Sequence, residues 1–482
     1  MNWDDILGAL ELKARELDPA GPARGKMLGQ ANAYAESFLA ALPTGKTFVR
    51  GHQVDGADEL SIDDDPIPMD ELLAYLGREV DQPGINPASG GHLGYIPGGG
   101  LYPSAIGGFL AGVANRYSGV HFASPGAMRM EKGLVQWMAG LVGLPDTAGG
   151  DLTSGGSTAN LSAIVTARDA RPLRAADIPG SCVYMTRQVH HCVDKALRVA
   201  GLAECYVRFV PMDARFRMDN SVLEEMIQAD RQRGLTPWMV VASAGTTDTG
   251  AVDPLLRIAS VCEAENLWLH VDAAYGGFFI LCENGRRALA GLERADSIVM
   301  DPHKGLFLPY GTGAVLVRDE ELLARAHRYQ ADYMQDAARG DSGYSPADLS
   351  PELSRPFRGL GLWLPLKLFG LAPFRAALEE KIQLARYFHE RIAALPGFRA
   401  GPFPDLSVVT FRYDPPRGDG EAANRQILEA VLRDGRVFIS STRINGEFSL
   451  RVAILHFRTH RGEVDHLLGV LAEAASRLDG EG

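Results

Sequence analysis

Five short segments combine residue types that could act on a small molecule. In the first, Asp301-Pro302-His303-Lys304-Gly305 follows the apolar run Ser297–Met300. A lysine at the end of a buried strand is costly to desolvate unless it is paired or used covalently. A side chain snorkelling from a sheet edge is the plainer reading. In the second, Leu267–Gly277 (LWLHVDAAYGG) puts the carboxylate of Asp272 at the end of another apolar run, ahead of small residues that let a flat group approach. A buried aspartate needs a cation or several donors, and a protonated pyridine nitrogen would serve. An aspartate capping its own turn would serve as well.

The third segment, Thr153–Leu161 (TSGGSTANL), is a glycine-rich turn opening into a helix. Free N–H groups, the helix dipole and hydroxyls make such a start an anion site suited to phosphate. It has no lysine and no G-x-G-x-x-G spacing, so it is neither a nucleoside-triphosphate loop nor a dinucleotide fingerprint; an ordinary serine cap also explains it. In the fourth, Gln188-Val189-His190-His191-Cys192, a histidine could stack on an aromatic group, bind metal or cap a helix, but no metal-ligand spacing accompanies it. The fifth, Ser243–Gly250 (SAGTTDTG), is small and hydroxyl-rich, or simply a strand–helix loop.

The elements that must hold these segments are short β-rich runs alternating with helical ones. Strands are expected at Cys182–Met185, Cys205–Val210, Trp238–Ala242, Leu267–Val271, Ser297–Met300 and Gly313–Val317, with capped helices such as Ser157–Arg168 and Val222–Arg233 between them. Such alternation implies an α/β domain with a mainly parallel sheet covered on both faces, where ligands gather beyond the carboxyl ends of the strands. The expected organisation is an N-terminal helical extension over 1–80, a large α/β domain over 81–353 and a smaller C-terminal α+β domain over 354–482. The last opens with a helical region broken at Pro365 and Pro373. It continues with strands Leu406–Arg412, Val437–Ser441 and Ser449–Ile454 and a final helix around 461–478. The extension has apolar helix faces but no core of its own, which fits packing against a second subunit.

Composition narrows the function classes. The 482 residues carry 48 Lys+Arg against 60 Asp+Glu, a net charge of −12, with no basic run, which disfavours nucleic-acid and anionic-membrane partners. Five cysteines without a C-x-x-C pair fit a reducing compartment and disfavour disulfides or a zinc site. The acidic, amphipathic N-terminus does not read as a signal peptide, and no apolar stretch reaches the roughly 20 residues a membrane span needs. A cytoplasmic location is expected, and no metal.

Taken together, the segments bring a lysine, a carboxylate, a phosphate cradle and a histidine to the ends of different strands in one sheet. That is the set pyridoxal 5'-phosphate requires. At this level the chain resembles the group II pyridoxal-phosphate-dependent amino-acid decarboxylases, from about Gly90 onward. The likeness is carried by TSGGSTANL, HHCVDKA, AGTTDTGAVDP, LHVDAAYGG, ADSIVMDPHKGLFLP and RPFRGLGLWLPLKLFG in the family's order. The resemblance implies a fold type I enzyme with a seven-stranded-type sheet, a homodimer, and decarboxylation of an L-amino acid to its amine. Related chemistry on the same cofactor, oxidative aldehyde formation or carbon–carbon cleavage, is the alternative.

By resemblance, Lys304 is the lysine that carries the cofactor, Asp272 the partner of its ring nitrogen and His190 the ring stacked on its face. Gly156, Ser157 and His303 match phosphate-contacting positions, and Thr247 and Ala274 match positions beside the ring. Asp301 stands where animal members often carry asparagine, and a charged carboxylate there would repel phosphate. Tyr95, Ile96 and Pro97 of GGHLGYIPGG match the substrate-side motif, and His121 lies where aromatic decarboxylases carry bulky aromatics. Surface packing explains His121 equally well. Tyr333, 29 residues after Lys304 in the polar stretch 331–351, matches the mobile-loop tyrosine that delivers a proton to the substrate carbon. Tyr344 is the other loop tyrosine that could do so.

Overall fold

Alternating side chains on the central strands are apolar on both faces, so these segments form a sheet buried on both sides rather than one facing water. On β7 (Trp268–Asp272), Leu269 and Val271 enter one core while Trp268 enters the other. On β8 (Ser297–Met300), Ile298 and Met300 part from Val299 in the same way. The first core is closed by the helices Pro125–Leu141, Asn220–Gln232 and Leu255–Glu265, through residues such as Leu134, Leu223 and Ile258. The second is closed by Gly156–Ala170, Cys192–Val199 and Glu320–His327, through Ala163, Val193 and Leu323.

The computed structural model describes residues 2–51, 62, 64–328 and 344–480. Two compact units are present, Met1–Ser89 and Gly90–Gly482. In the first, the helices Trp3–Ala14 and Gly21–Ala41 bury no residue, and β1 (Phe48–Val49) pairs antiparallel with β2 (Gly84–Ile85). The second contains both larger sheets.

The seven-stranded sheet consists of β3 (Gly149–Thr153), β4 (Ser181–Met185), β5 (Tyr206–Phe209), β6 (Thr236–Ser243), β7, β8 and β9 (Gly313–Val317), in the order β3-β9-β8-β7-β6-β4-β5. From β8 to β5 all neighbours run parallel, whereas β9 is antiparallel to both β3 and β8. This mainly parallel seven-stranded sheet is the one the sequence resemblance leads one to expect. A second, antiparallel sheet, β10-β11-β13-β12 (Phe398–Ala400, Val408–Tyr413, Glu447–Ala453, Ser440–Ile444), carries the helices Ala372–Ala393, Gly420–Asp434 and Arg461–Gly480. Its β12–β13 hairpin turns through Asn445-Gly446, both at positive φ (51° and 85°), as a tight hairpin with strand-matched twist requires.

Several features differ from the sequence expectation: β1 and β2 lie outside the expected strands, and β12 covers Ser440–Ile444 rather than Val437–Ser441. β3 and β10 were not foreseen, because GGDLT and FRA lack an apolar strand signature. Pro365 lies inside the helix Gly359–Phe369 rather than ending it. Close seating on the neighbouring helix Tyr102–Ala114 holds this stretch, since a Cβ on Gly107 would lie only 3.0 Å from Gly361 Cα. Tertiary packing there outweighs the lost helical hydrogen bond.

Candidate active site

The carboxyl ends of β3, β4, β6, β7 and β8 point the same way, and the segments singled out in the sequence meet there around a cavity of about 270 Å³. β3 leads through Ser154 and Gly155 into the helix Gly156–Ala170. Ala159 N is the first amide of this helix with a carbonyl partner, Gly155 O at 3.1 Å. The amides of Gly156, Ser157 and Thr158 precede it in the first turn, at the positive end of the dipole. Glycine is required here by contact: a Cβ on Gly313 of β9 would lie 2.6 Å from Gly155 Cα, and one on Gly156 would lie 2.9 Å from Asp301 Oδ2.

Lys304 sits on the one-turn helix Pro302–Gly305 that follows β8. Its Nζ lies 2.8 Å from Asp301 Oδ2, and the Asp301 carboxylate is almost fully buried. Burial opposes the charged ammonium, but the Asp301 and Asp272 carboxylates outweigh it and hold the lysine's proton above the ordinary range. Asp301 is thus the partner of Lys304. His303 donates from Nδ1 to Thr312 O at 2.7 Å, and burial lowers its pKa despite Asp301.

Asp272 ends β7. Its Oδ1 accepts from Ala274 N at 3.1 Å and its Oδ2 from Asn160 Nδ2 at 3.3 Å. His190 reaches the cavity after β4; its Nδ1 accepts from Cys192 N at 3.2 Å, so in the neutral ring Nε2 carries the proton. Burial lowers the His190 pKa, against the raising effect of Asp272. The Cys192 thiol, also at the cavity, is pushed up to about 12 by burial and by Asp272, which leaves it an unreactive wall group. The loop after β6 contributes Thr246 and Thr247.

Residues 60–414 match the family model described as the pyridoxal-dependent decarboxylase conserved domain. The chain belongs to that family. This decarboxylase is a pyridoxal-phosphate-dependent carboxy-lyase that converts an L-amino acid to its amine and carbon dioxide. It is 34% identical to the aromatic-L-amino-acid decarboxylase of Bacillus atrophaeus over 399 residues, 82% of this chain and 83% of that protein. It is 28% identical to the phenylacetaldehyde synthase of Arabidopsis thaliana, over 87% of this chain and 88% of that one. Among solved structures, Oryza sativa TDC with PLP and tryptamine superposes with a TM-score of 0.89 at 26% identity, covering 96% of this chain and 99% of that chain.

The residues of the decarboxylase fit the cofactor. A lysine amine, a carboxylate held by two N–H donors and the open first turn of a helix border one cavity, whose glycine wall a single Cβ would invade. Gly156, Ser157, His190, Thr247, Asp272, Ala274, His303 and Lys304 all line it. Tyr95, Ile96, Pro97 and His121 are not among its lining residues. The stretch that follows Pro97 packs on the lysine turn: a Cβ on Gly98 would lie 2.1 Å from His303 O, and Leu101 N donates to Phe307 O at 2.8 Å. Tyr95 is largely exposed with its ring 5.7 Å from that of Phe438, and His121 N bonds Ser345 Oγ at 3.0 Å. Tyr333 lies outside the described residues. Tyr344 is buried and donates to Gly150 O at 3.1 Å on β3.

Asn160 and Cys192 are among the lining residues to which the sequence reading gave no role of their own. Asn160 carried a signal, being a polar residue one turn into a helix whose other inward positions are apolar or small. Among the described residues no helix is long and apolar enough to cross a membrane, and no cluster of His, Cys, Asp or Glu could hold a metal ion.

Proposed function

We propose that this decarboxylase acts on an aromatic L-amino acid. The observation that carries this reading is the charge inventory of the cavity. Its cationic or titratable basic groups are Lys304, His190 and His303, its carboxylates are Asp272 and Asp301, and no arginine is among the described lining residues. Each of these groups has a task at the cofactor, so none of those lining this cavity is left to neutralise an acidic or basic substrate side chain, which burial would require. The likeness to the Bacillus atrophaeus aromatic-L-amino-acid decarboxylase points the same way.

Bound pyridoxal phosphate supplies an electron sink for the pair left behind when carbon dioxide departs. Lys304 would hold it covalently through Nζ, and Asp301 keeps the proton of that amine when the nitrogen is free. Asp272 would hold a proton at the ring nitrogen. His190 would cover one ring face, excluding water and offering Nε2–H as a donor. The helix start at Gly156 and Ser157, with His303, would receive the phosphate, and Thr247 and Ala274 would flank the ring. Tyr333 is assigned the proton delivery to the decarboxylated carbon, and Tyr95, Ile96, Pro97 and His121 the substrate side.

A homodimer and a cytoplasmic location belong to the same proposal, with 1–80 as the extension, 81–353 the cofactor domain and 354–482 the small domain. Supporting dimerisation, Trp3, Leu7 and Leu10 are exposed in the first unit, and Phe109, Leu110 and Val113 are exposed on one helix of the second. Apolar patches of this kind mark association surfaces. The test is carbon dioxide and amine release from a panel of amino acids. Tryptophan, tyrosine, phenylalanine or dihydroxyphenylalanine should be turned over, and faster release from glutamate, histidine or diaminobutyrate would reject the assignment. Aldehyde with ammonia and peroxide, in place of amine, would favour the chemistry of the phenylacetaldehyde synthase relative.

A further inference from the structure

β-Strand alternation puts Trp268, His270 and Asp272 on the same face of β7, under the helix Gly156–Ala170. Their polar atoms, with Ser297 of β8 and Asn160 of the helix, form one continuous chain. Trp268 Nε1 donates to Ser297 Oγ at 2.9 Å, and Ser297 Oγ lies 2.8 Å from His270 Nδ1. His270 Nε2 lies 2.7 Å from Asn160 Oδ1, and Asn160 Nδ2 reaches Asp272 Oδ2 at 3.3 Å and Gly156 O at 2.8 Å. Ser297, His270 and Asn160 are fully buried.

Both ends of the chain force the same sense. The indole N–H can only donate, so Ser297 accepts from it and has its own proton free for His270 Nδ1. At the other end, Asp272 Oδ2 and Gly156 O can only accept, so the Asn160 amide must turn its NH₂ towards them and its oxygen towards His270. His270 Nε2 then has to carry the proton. The reverse sense would set the amide oxygen against a carboxylate and a carbonyl. Burial also disfavours a doubly protonated ring, lowering the His270 pKa to about 4 against the raising effects of Asp272 and the Ser297 backbone.

We infer that Asn160 and His270, oriented by Ser297 and Trp268, are positioning residues for Asp272: they deliver a directed N–H to Oδ2 and fix the carboxylate that faces the cofactor ring. Each donor a carboxylate accepts makes it a poorer proton acceptor, so a proton shared with a ring nitrogen stays on the nitrogen. The inference rests on the reading of Asp272 as the ring-nitrogen partner.

The test uses the holoenzyme loaded with pyridoxal phosphate labelled with ¹⁵N in the ring, and reads the ring-nitrogen chemical shift by NMR. Asp272→Asn sets the position of the unprotonated ring. Asn160→Leu and His270→Phe, which keep volume and remove the polar link, should each move the signal from the wild-type position towards it. His270→Gln, which retains a donor to Asn160, should stay near wild type. The moved variants should lose kcat by the roughly 10–100-fold seen when outer partners of a ligating group are removed, with little change in KM. Should either buried variant fail to fold, Ser297→Ala, which removes a single hydroxyl, should give a smaller shift in the same direction. If Asp272→Asn moves the signal while the Asn160, His270 and Ser297 variants leave it in place, the relay is wrong and the reading of Asp272 stands. If Asp272→Asn itself leaves the signal in place, that reading falls and the relay with it.

Discussion

Lys304 and Arg355 are both drawn out of water against carboxylates, yet their surroundings differ in a way that separates a working site from a structural one. Lys304 meets Asp301 at the wall of an open cavity, and a quarter of its side chain remains accessible. Arg355 is sealed: Nη1 lies 2.8 Å from Glu131 Oε2 and 3.2 Å from Asp151 Oδ1, and all three side chains have no accessible surface. Backbone completes the second cluster, with Gly359 N donating to Glu131 Oε1 at 2.9 Å and Tyr344 closing over Gly150. Two carboxylates on one guanidinium cannot both stay charged at little cost. Burial, reinforced by Glu131 and opposed by Arg355, pushes Asp151 up to about 7. A buried ion pair by itself therefore does not mark catalysis; access and an unspent valence do.

The largest test of this contrast is Lys304→Ala. It should abolish decarboxylation and the visible absorbance of the bound cofactor. A borohydride-reducible chromophore surviving on another lysine would contradict the assignment. Arg355→Met should instead cost about 3–5 kcal/mol of stability by leaving two carboxylates buried without their cation, measured by chemical denaturation. Asp272→Asn should keep the fold and lower kcat by several kcal/mol of transition-state stabilisation, on the order of an oxyanion-type electrostatic contribution.

The Arg355 cluster also has a pH signature. Between the ordinary aspartate value of 3.8 and about 7, folded Asp151 holds a proton that the unfolded chain has released. Its contribution to stability is therefore full at low pH and is lost as pH rises through that window. Asp151→Asn should flatten this part of the stability profile, and an unchanged slope would place the proton elsewhere. The smallest effect belongs to Tyr344→Phe. Losing one hydrogen bond to Gly150 O should cost about 1 kcal/mol without altering the product. By contrast, Tyr333→Phe should divert product from amine towards aldehyde, ammonia and peroxide, and unchanged amine output would remove Tyr333 from the mechanism.

Strand ends and glycine turns were the legible part of the site: Lys304, Asp272 and His190 each follow an apolar run that reads as a buried strand, and Gly156 stands in a glycine-rich turn opening into a helix. All four line the cavity. β3 escaped because its glycines answer to a neighbour rather than to local propensity: a Cβ on Gly150 would lie 2.1 Å from Val315 O across the β3–β9 pair. Asn160 and His270 escaped for a related reason. One belongs to a helix and the other to a strand 110 residues later, and their shared hydrogen bond exists only once the two elements pack. Resemblance alone assigned Tyr95–Pro97 to the substrate side; what the structure adds is that the next residue, Gly98, packs against the backbone of the lysine turn.

The direction of β9 sets a timetable for the enzyme's manufacture. Among the described strands β3 lies against β9 alone, and β9 is inserted between it and β8. A nascent chain that has not yet released residues 313–317 from the ribosome has no strand on which to lay Gly149–Thr153. The phosphate cradle that begins three residues later therefore lacks a settled strand before it, although its own sequence emerged some 160 residues earlier. Cofactor capture is consequently a late event in synthesis, and a ribosome stalled upstream of Gly313 should carry a chain that binds none.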